Sequence, residues 1–436
     1  GNVMKYSIAT YLGFGISGAA LIIKGVLPAE SYAVPASFMA YTMSLMNVGM
    51  LGLDQSLLRF YHEPPAGSTG RSMFAACTRL SALYMLVRYL NVLLRLENNV
   101  RAYTTETLWM QACLNLIYLL PGFVTQDARA FVLGAVCSFA GVAVFYWRRA
   151  SKGQTKEAPV RGLRPYAHIY RAALPYGIVL APAAILIPLY RAICLSFLGN
   201  YAPAAEQGSF DFAYTLAQLV TTIQAGFSTY WGPYVYAHYR TEQERIGRIH
   251  DLLNLLIFGF FCLLVMFEDI IFIIFPAKSA CLPYFPLMML AVVFSILCEG
   301  TVYGNTIARK PFQDTIGTAV GVAANIAVCA VLVPRFGVIG AAVGLVAANA
   351  TMFLYRTVTG QYYYRTIPSF SRTICGFLLA VGVAVIGVVF AHNFIIKFVL
   401  TAAILFIYCN IYRAQLYKLW QIFMGFVRRY LLHSQA

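Results

Sequence analysis

The sequence predicts an all-α polytopic membrane protein: two helical bundles related by a parallel repeat, with about 12 transmembrane helices and one further helix at 72–94 whose crossing is in question. Three observations predict it. Hydrophobic residues make up 60% of the 436 and charged residues only 11%, whereas a soluble domain carries about 25% charged residues. So few charges cannot cover a water-soluble surface of this length. The apolar residues also fall in blocks that match the roughly 20 residues a helix needs to cross about 30 Å of hydrocarbon. Strands of an outer-membrane barrel would instead alternate over about ten residues, and these blocks do not alternate.

Taken in order, the expected spans are 6–27, 36–57, 105–122, 130–147, 173–198, 211–235, 251–275, 284–307, 314–334, 338–359, 373–391 and 394–411. Residues 5–27 are too long for a signal-peptide core and recur as a repeat element, so they are expected to remain as a span. The segment 72–94 carries Arg79 and Arg88 within its apolar run, and each is expensive at mid-membrane.

Charge placement addresses that segment. With the N-terminus in the cytoplasm and 72–94 not crossing, the inner loops hold 24 of the 32 Lys and Arg, including seven from Arg148 to Arg171. The outer loops hold only Arg129, Lys278 and Arg335. A single crossing by 72–94 would put the basic linker outside, against the positive-inside bias. An even number of crossings is therefore expected between Arg59 and Arg148, with 72–94 interfacial, re-entrant or a remnant of two helices. Both termini then face the cytoplasm. The same bias accounts for most of the net charge of +16, which in a soluble protein would suggest nucleic acid.

The repeat rests on short ordered matches. Ala40-Tyr41-Thr42 recurs as Ala213-Tyr214-Thr215, Asn115 matches Asn325, and Gly134 matches Gly344. The growing offset between them implies that the first half lacks about one helix and a loop, across 72–94. The expected organisation is an N-terminal helical lobe over 1–147, a basic cytoplasmic linker over 148–171, a C-terminal helical lobe over 172–360, and an extra helix pair with a tail over 361–436. Corresponding helices run in the same direction, the arrangement of a parallel repeat whose halves rock about a central cavity.

Three stretches carry a family resemblance: GLDQSLLRFYHE (Gly52–Glu63), LYRAICLSFLGNYAPAAEQGSFDFAYTLA (Leu189–Ala217) and VPRFGVIGAAVG (Val333–Gly344). They resemble bacterial polysaccharide-biosynthesis flippases of the multidrug/oligosaccharidyl-lipid/polysaccharide exporter superfamily, over about residues 5–411. The sequence departs from the pattern where the third and fourth helices should be. The resemblance implies a two-lobe fold of 12–14 helices in the bacterial inner membrane. It also implies movement of undecaprenyl-pyrophosphate-linked oligosaccharide from the inner to the outer leaflet. Implied partners are that lipid-linked oligosaccharide, membrane lipid, and a glycan polymerase or glycosyltransferases; no cofactor is implied.

A flippase makes and breaks no covalent bond, so the chain is not expected to be an enzyme. It needs cations that meet the phosphates, and arginine donates two hydrogen bonds to phosphate oxygens. Arg191, late in its span, is the first candidate, because intramembrane ionisable residues are usually functional; snorkelling or pairing with a neighbouring helix is the structural alternative. Lys24 has the same alternatives. Arg59 closes the second span beside Asp54, Gln55 and Tyr61, where it can meet pyrophosphate on entry or serve as an ordinary inside-positive anchor. Arg88 lies in the questioned segment. Asp54 and Glu299 are the expected acidic groups, each a proton or sodium site or a partner for an arginine, as Asp54 is for Arg59. Tyr41, Tyr61, Tyr214, Tyr230 and Tyr234 can stack on sugars, pack between helices or anchor at interfaces.

Other patterns point away from chemistry. Gly13, Gly15 and Gly18 match a dinucleotide fingerprint inside an apolar span, which reads as close helix packing, as do the pairs Gly317/Gly321 and Gly340/Gly344. Asn349-Ala350-Thr351 is a sequon within a span. The ten cysteines lie mostly in apolar blocks without a CxxC pair, and the six histidines show no HExxH spacing, so neither disulfides nor metal ligands are expected. No Walker motif is present. Competing functions are a cation-coupled multidrug exporter, a membrane glycosyltransferase or polymerase, and a non-transporting scaffold. The exporter would want acidic groups in its cavity; the transferase would want carboxylates on a large outer loop.

Overall fold

In the computed structural model the apolar blocks become helices, and no strand occurs among the described residues. These residues are 2–50, 52–60, 64–80, 92–94, 100–125, 127–151, 164–308, 310–417, 420, 421 and 424. Tyr61, Arg79 after its backbone, Arg88, the middle of the basic linker and the end of the tail lie outside them.

The first half opens with α1 (Asn2–Val26), a 3-10 turn at Ala29–Tyr32, α2 (Ala33–Met50) and α3 (Leu53–Phe60). The expected span 36–57 is thus broken at Gly52, whose φ of +66° lies in the left-handed region that a side chain disfavours. Next come α4 (Gly70–Leu80), α5 (Val100–Gln111), an irregular helical stretch over 112–119, α6 (Leu120–Thr125) and α7 (Ala128–Ser151).

The second half comprises α8 (Ala167–Tyr201), α9 (Ala204–His238), α10 (Gln243–Ile274), a 3-10 turn at Pro276–Cys281, α11 (Phe285–Thr301) and α12 (Tyr303–Ile307). Then follow α13 (Phe312–Tyr363), α14 (Phe370–Val389) and α15 (Phe394–Ile411). α13 is a hairpin, not one rod. Gly337 breaks it with φ +52°, and Gly321 and Gly344 in its two arms face Ala348 and Cys329 across the turn. The expected spans 314–334 and 338–359 are its arms. Six helices in the described chain are long and apolar enough to span a membrane, and Leu12–Val26 and Arg129–Val142 are shorter apolar helices.

Exposed side chains on α10 confirm the solvent it is built for. Leu256, Phe260, Leu263, Phe267, Ile270 and Ile274 form an exposed stripe at helical spacing, a surface suited to lipid and not to water. At about 1.5 Å per residue, the 32 residues of α10 exceed the hydrocarbon thickness, so its first turns, with Arg245 and Arg248, extend past the apolar layer.

Loops alternate between two ends of the bundle. At one, the Lys24 end, Lys278 Nζ donates to the Leu27 carbonyl at 2.6 Å, Gly208 lies against Ala29, and Glu206, Tyr284 and Phe336 line one cavity. At the other, the Arg372 end, Tyr364 Oη donates to the Tyr239 carbonyl at 2.7 Å and Tyr170 Oη to the Ala76 carbonyl at 3.0 Å. Val92, Leu93 and Leu94 share a buried cluster with Leu53, Met73, Cys77 and Tyr166 at that same end. Residues 81–91 of the segment 72–94 lie outside the described residues, and the number of its crossings lies outside with them.

The halves meet through reciprocal pairs: α1 packs on α9 and α2 on α8, while α3 also packs on α8. Small residues permit the approach. A Cβ on Gly52 would strike the Gly177 carbonyl, and one on Gly208 the Ala29 carbonyl. The glycine-rich patterns divide on this point. Gly317, Gly321, Gly340 and Gly344 all sit in tight helix contacts and Gly13 faces Gln111 of α5, but Gly15 and Gly18 have nothing within 4 Å. Close packing thus accounts for only the first of those three glycines.

Candidate functional site

The seam between α1 and α9 holds the densest charge in the described chain. The apolar block at 211–235 understates α9, whose helix begins at Ala204 behind Pro203. Asp211 is therefore two turns inside the helix and fully buried. Lys24, at the end of α1, donates from Nζ to Asp211 Oδ2 at 2.7 Å and to Thr215 Oγ1 at 3.2 Å. Arg191, on α8, makes a short ion pair with the other oxygen of Asp211. Its guanidinium also lies over the Tyr214 ring, 5.0 Å from the centroid, and Tyr214 stacks on Phe210.

A third cation completes the cluster. Lys278, in the turn after α10, is 1% exposed. Its ammonium sits 4.9 Å from the Tyr32 ring centroid, and Lys24 is 5.9 Å from the same ring. Burial, with repulsion from Lys24 adding to it, lowers the Lys278 pKa to about 8. Lys24 and Arg191 thus share one carboxylate, and Lys278 lies beside Lys24 at the Tyr32 ring. Such an arrangement favours an anion that brings further oxygens.

The structure brings together Arg191, Lys24 and Tyr214 and separates them from Asp54. That residue is buried at the Arg372 end, in the cluster of Leu53 and Cys77. The backbone of Arg59 belongs to α3, but its side chain, like Tyr61 and Arg88, lies outside the described residues, as does the Asp54–Arg59 pairing. Tyr41 is exposed. Tyr234 stacks on Trp231 and His238 near the Arg372 end, away from the cation cluster.

Acidic groups were the weakest part of the sequence expectation. Asp54 and Glu299 stood out by composition, and Glu299 is half-buried within electrostatic reach of Arg356 and Asp314. Among the described residues, the carboxylates with no exposure are Asp211, Glu268 and Glu106. A signal for Asp211 was present: it lies in the repeat two residues before Ala213-Tyr214-Thr215. Arg356, near the end of the expected span 338–359, is buried in the second arm of α13. It donates to the Asp314 carbonyl at 3.1 Å and to Thr318 Oγ1 at 2.5 Å, tying the hairpin arms together.

No protein-family profile and no curated protein sequence matches the chain. Its fold is similar to that of a solved lipid II flippase, MurJ, in an inward closed conformation. The TM-score is 0.61 at 11% identity, over 94% of this chain and 99% of that one. A lesser likeness, with a TM-score of 0.40 and 15% identity, joins it to an inward-facing multidrug resistance MATE family transporter of the MOP superfamily, over 83% of this chain and 87% of that one. At these identities the first likeness establishes the fold.

Proposed function

We propose that this chain is a flippase that moves an undecaprenyl-pyrophosphate-linked oligosaccharide from the inner to the outer leaflet by alternating access. The observation that carries the proposal is the cation cluster on the seam: Lys24 and Arg191 paired with Asp211, and Lys278 beside Lys24 at the Tyr32 ring. A pyrophosphate arriving there replaces Asp211 as the partner of Lys24 and Arg191. A covered anion of this kind offers several acceptors, which one carboxylate cannot match.

Support also comes from the fold shared with a lipid II flippase and from the reciprocal α1–α9 and α2–α8 packing, which suits two bundles that rock about their seam. In the present conformation the Lys24 end is shut by the Lys24–Asp211 pair and the Lys278–Leu27 hydrogen bond. On this reading the Lys24 end faces outward and both termini face the cytoplasm of a bacterial inner membrane. The basic linker joins the N-terminal and C-terminal lobes on the inner side, where glycosyltransferases deliver substrate; a glycan polymerase takes it outside. A drug exporter for cations is disfavoured by the gathering of Lys24, Arg191 and Lys278 at this seam.

Complementation tests the proposal. In a strain lacking its oligosaccharide flippase, the chain should restore surface glycan when the glycan is matched, and Arg191→Ala should not. Restoration by Arg191→Ala at the level of the parent removes Arg191 from the site, and efflux of cationic dyes without glycan rescue replaces the flippase by an exporter.

A further inference from the structure

A second charged cluster lies away from the seam, where the extra helix pair meets the second half. Lys397, on α15, donates from Nζ to Glu268 Oε1 at 2.8 Å and lies 2.5 Å from Asp269 Oδ2. Lys397 and Glu268 are 0% exposed, while the Asp269 side chain retains 24% of its exposure. One ammonium therefore faces two carboxylates. Glu268 Oε2, Asp269 Oδ2 and the hydroxyl of Thr401, one turn along α15 from Lys397, are buried and find no hydrogen-bond partner among the described residues; of the two carboxylates, Glu268 is the one with no exposure.

Among the described residues, Lys397 is the one lysine or arginine paired with Glu268 and Asp269. α15, α14, α11 and the turn after α10 pack on α10. Arg372 of α14 is engaged with Asp251 at the opposite end. Glu299 of α11 belongs with Arg356, and Lys278 of the turn faces Leu27 and Tyr32. An uncompensated carboxylate in an apolar interior is costly, and protonation is its cheapest relief.

We infer that Glu268 is a proton-binding site and that, granted the flippase reading on which this second step rests, it couples transport to a proton gradient. The proton adds at Oε2 from a hydronium ion at the Lys24 end, returning water; Glu268 becomes a neutral acid and Asp269 stays ionised against Lys397. Glu268 lies six residues, about 9 Å of helix rise, from the last residue of α10, and the partly exposed Asp269 gives the proton its entry. Release leaves one negative charge in excess at the α10–α15 interface and favours conformations that admit water to it. Phe267 against Phe398 and Phe258 against Tyr408 otherwise keep that interface closed.

Two measurements on the full chain test this separately. Infrared spectroscopy of the purified protein should show the carbonyl stretch of a buried carboxylic acid near neutral pH. The band should be lost in Glu268→Gln and shifted, not lost, in Glu268→Asp. An unchanged band in Glu268→Gln, or no such band in the parent, overturns the proton site. In proteoliposomes carrying a fluorescent polyprenyl-pyrophosphate disaccharide, a gradient of one pH unit should shift the steady-state leaflet ratio by up to about tenfold per coupled proton, and Glu268→Gln should abolish the shift. Flipping that ignores the gradient in the parent overturns the coupling. Absence of any flipping, with the band behaving as expected, overturns the flippase reading and upholds the proton site.

Discussion

Asp211 carries the most weight of any single side chain here, because it holds cations from both halves. Lys24 reaches it from α1 and Arg191 from α8. Removing one partner of a buried pair leaves an uncompensated charge and costs about 3–5 kcal/mol. Asp211→Asn should therefore lower thermal stability in detergent, yet bind inorganic pyrophosphate more tightly than the parent, since the internal competitor is gone. Calorimetry that finds pyrophosphate affinity unchanged would separate the cluster from substrate. Lys278 adds a pH signature. Its pKa is lowered from 10.5 to about 8, so the folded state binds this proton less tightly than the unfolded one. Its contribution to stability should therefore rise between pH 8 and about 10.5, where only the unfolded chain keeps the proton. Over the same step the cluster loses a charge. Pyrophosphate affinity should fall as pH passes through about 8, and Lys278→Arg, which stays charged, should flatten that fall.

At the scale of elements, the break between α2 and α3 explains why a glycine begins the stretch Gly52-Leu53-Asp54-Gln55. The left-handed φ and the contact with Gly177 are two separate demands that only glycine meets. Gly52→Ala should disturb the α2–α8 seam, lowering the melting temperature and transport together. Gly15→Ala, on an open face of α1, should leave both near the parent values. The two variants compared in one unfolding experiment test the assignment. Hydropathy made this break invisible, because Gly52 sits inside a continuous apolar block. By contrast, the turn of the α13 hairpin was legible in Pro334, Arg335 and Gly337, a punctuated gap between two blocks.

For the whole molecule, the decisive contact is the closed Lys24 end. Ala29 and Gly208 approach through their backbones, and a Cβ on Gly208 would strike the Ala29 carbonyl, so Gly208→Val should keep this end from closing. Transport should be lost while the protein still folds and reaches the membrane; unimpaired transport in Gly208→Val would exclude closure at this seam from the cycle. Orientation is tested by reporters fused within 150–165, which should report the cytoplasm. Inner and outer ends are distinguished by charge alone, and a reporter outside would invert the direction proposed for transport.

The helical class, the main apolar blocks and the expectation of an even number of crossings between Arg59 and Arg148 follow from the sequence itself. Each depends on quantities that act locally or one residue at a time: hydrocarbon thickness, backbone hydrogen bonding within a segment, and the free energy of a basic residue on either side of a membrane. What surrounds a charge is not of that kind. Arg191 and Lys24 were legible as cations in apolar runs, but their shared carboxylate lies 187 residues from Lys24 in the chain. Glu268 and Lys397 are 129 residues apart. Tertiary packing decided these pairings, because only the meeting of helices brings such groups within reach, and in a medium without water each buried charge must be answered by the neighbour that packing supplies.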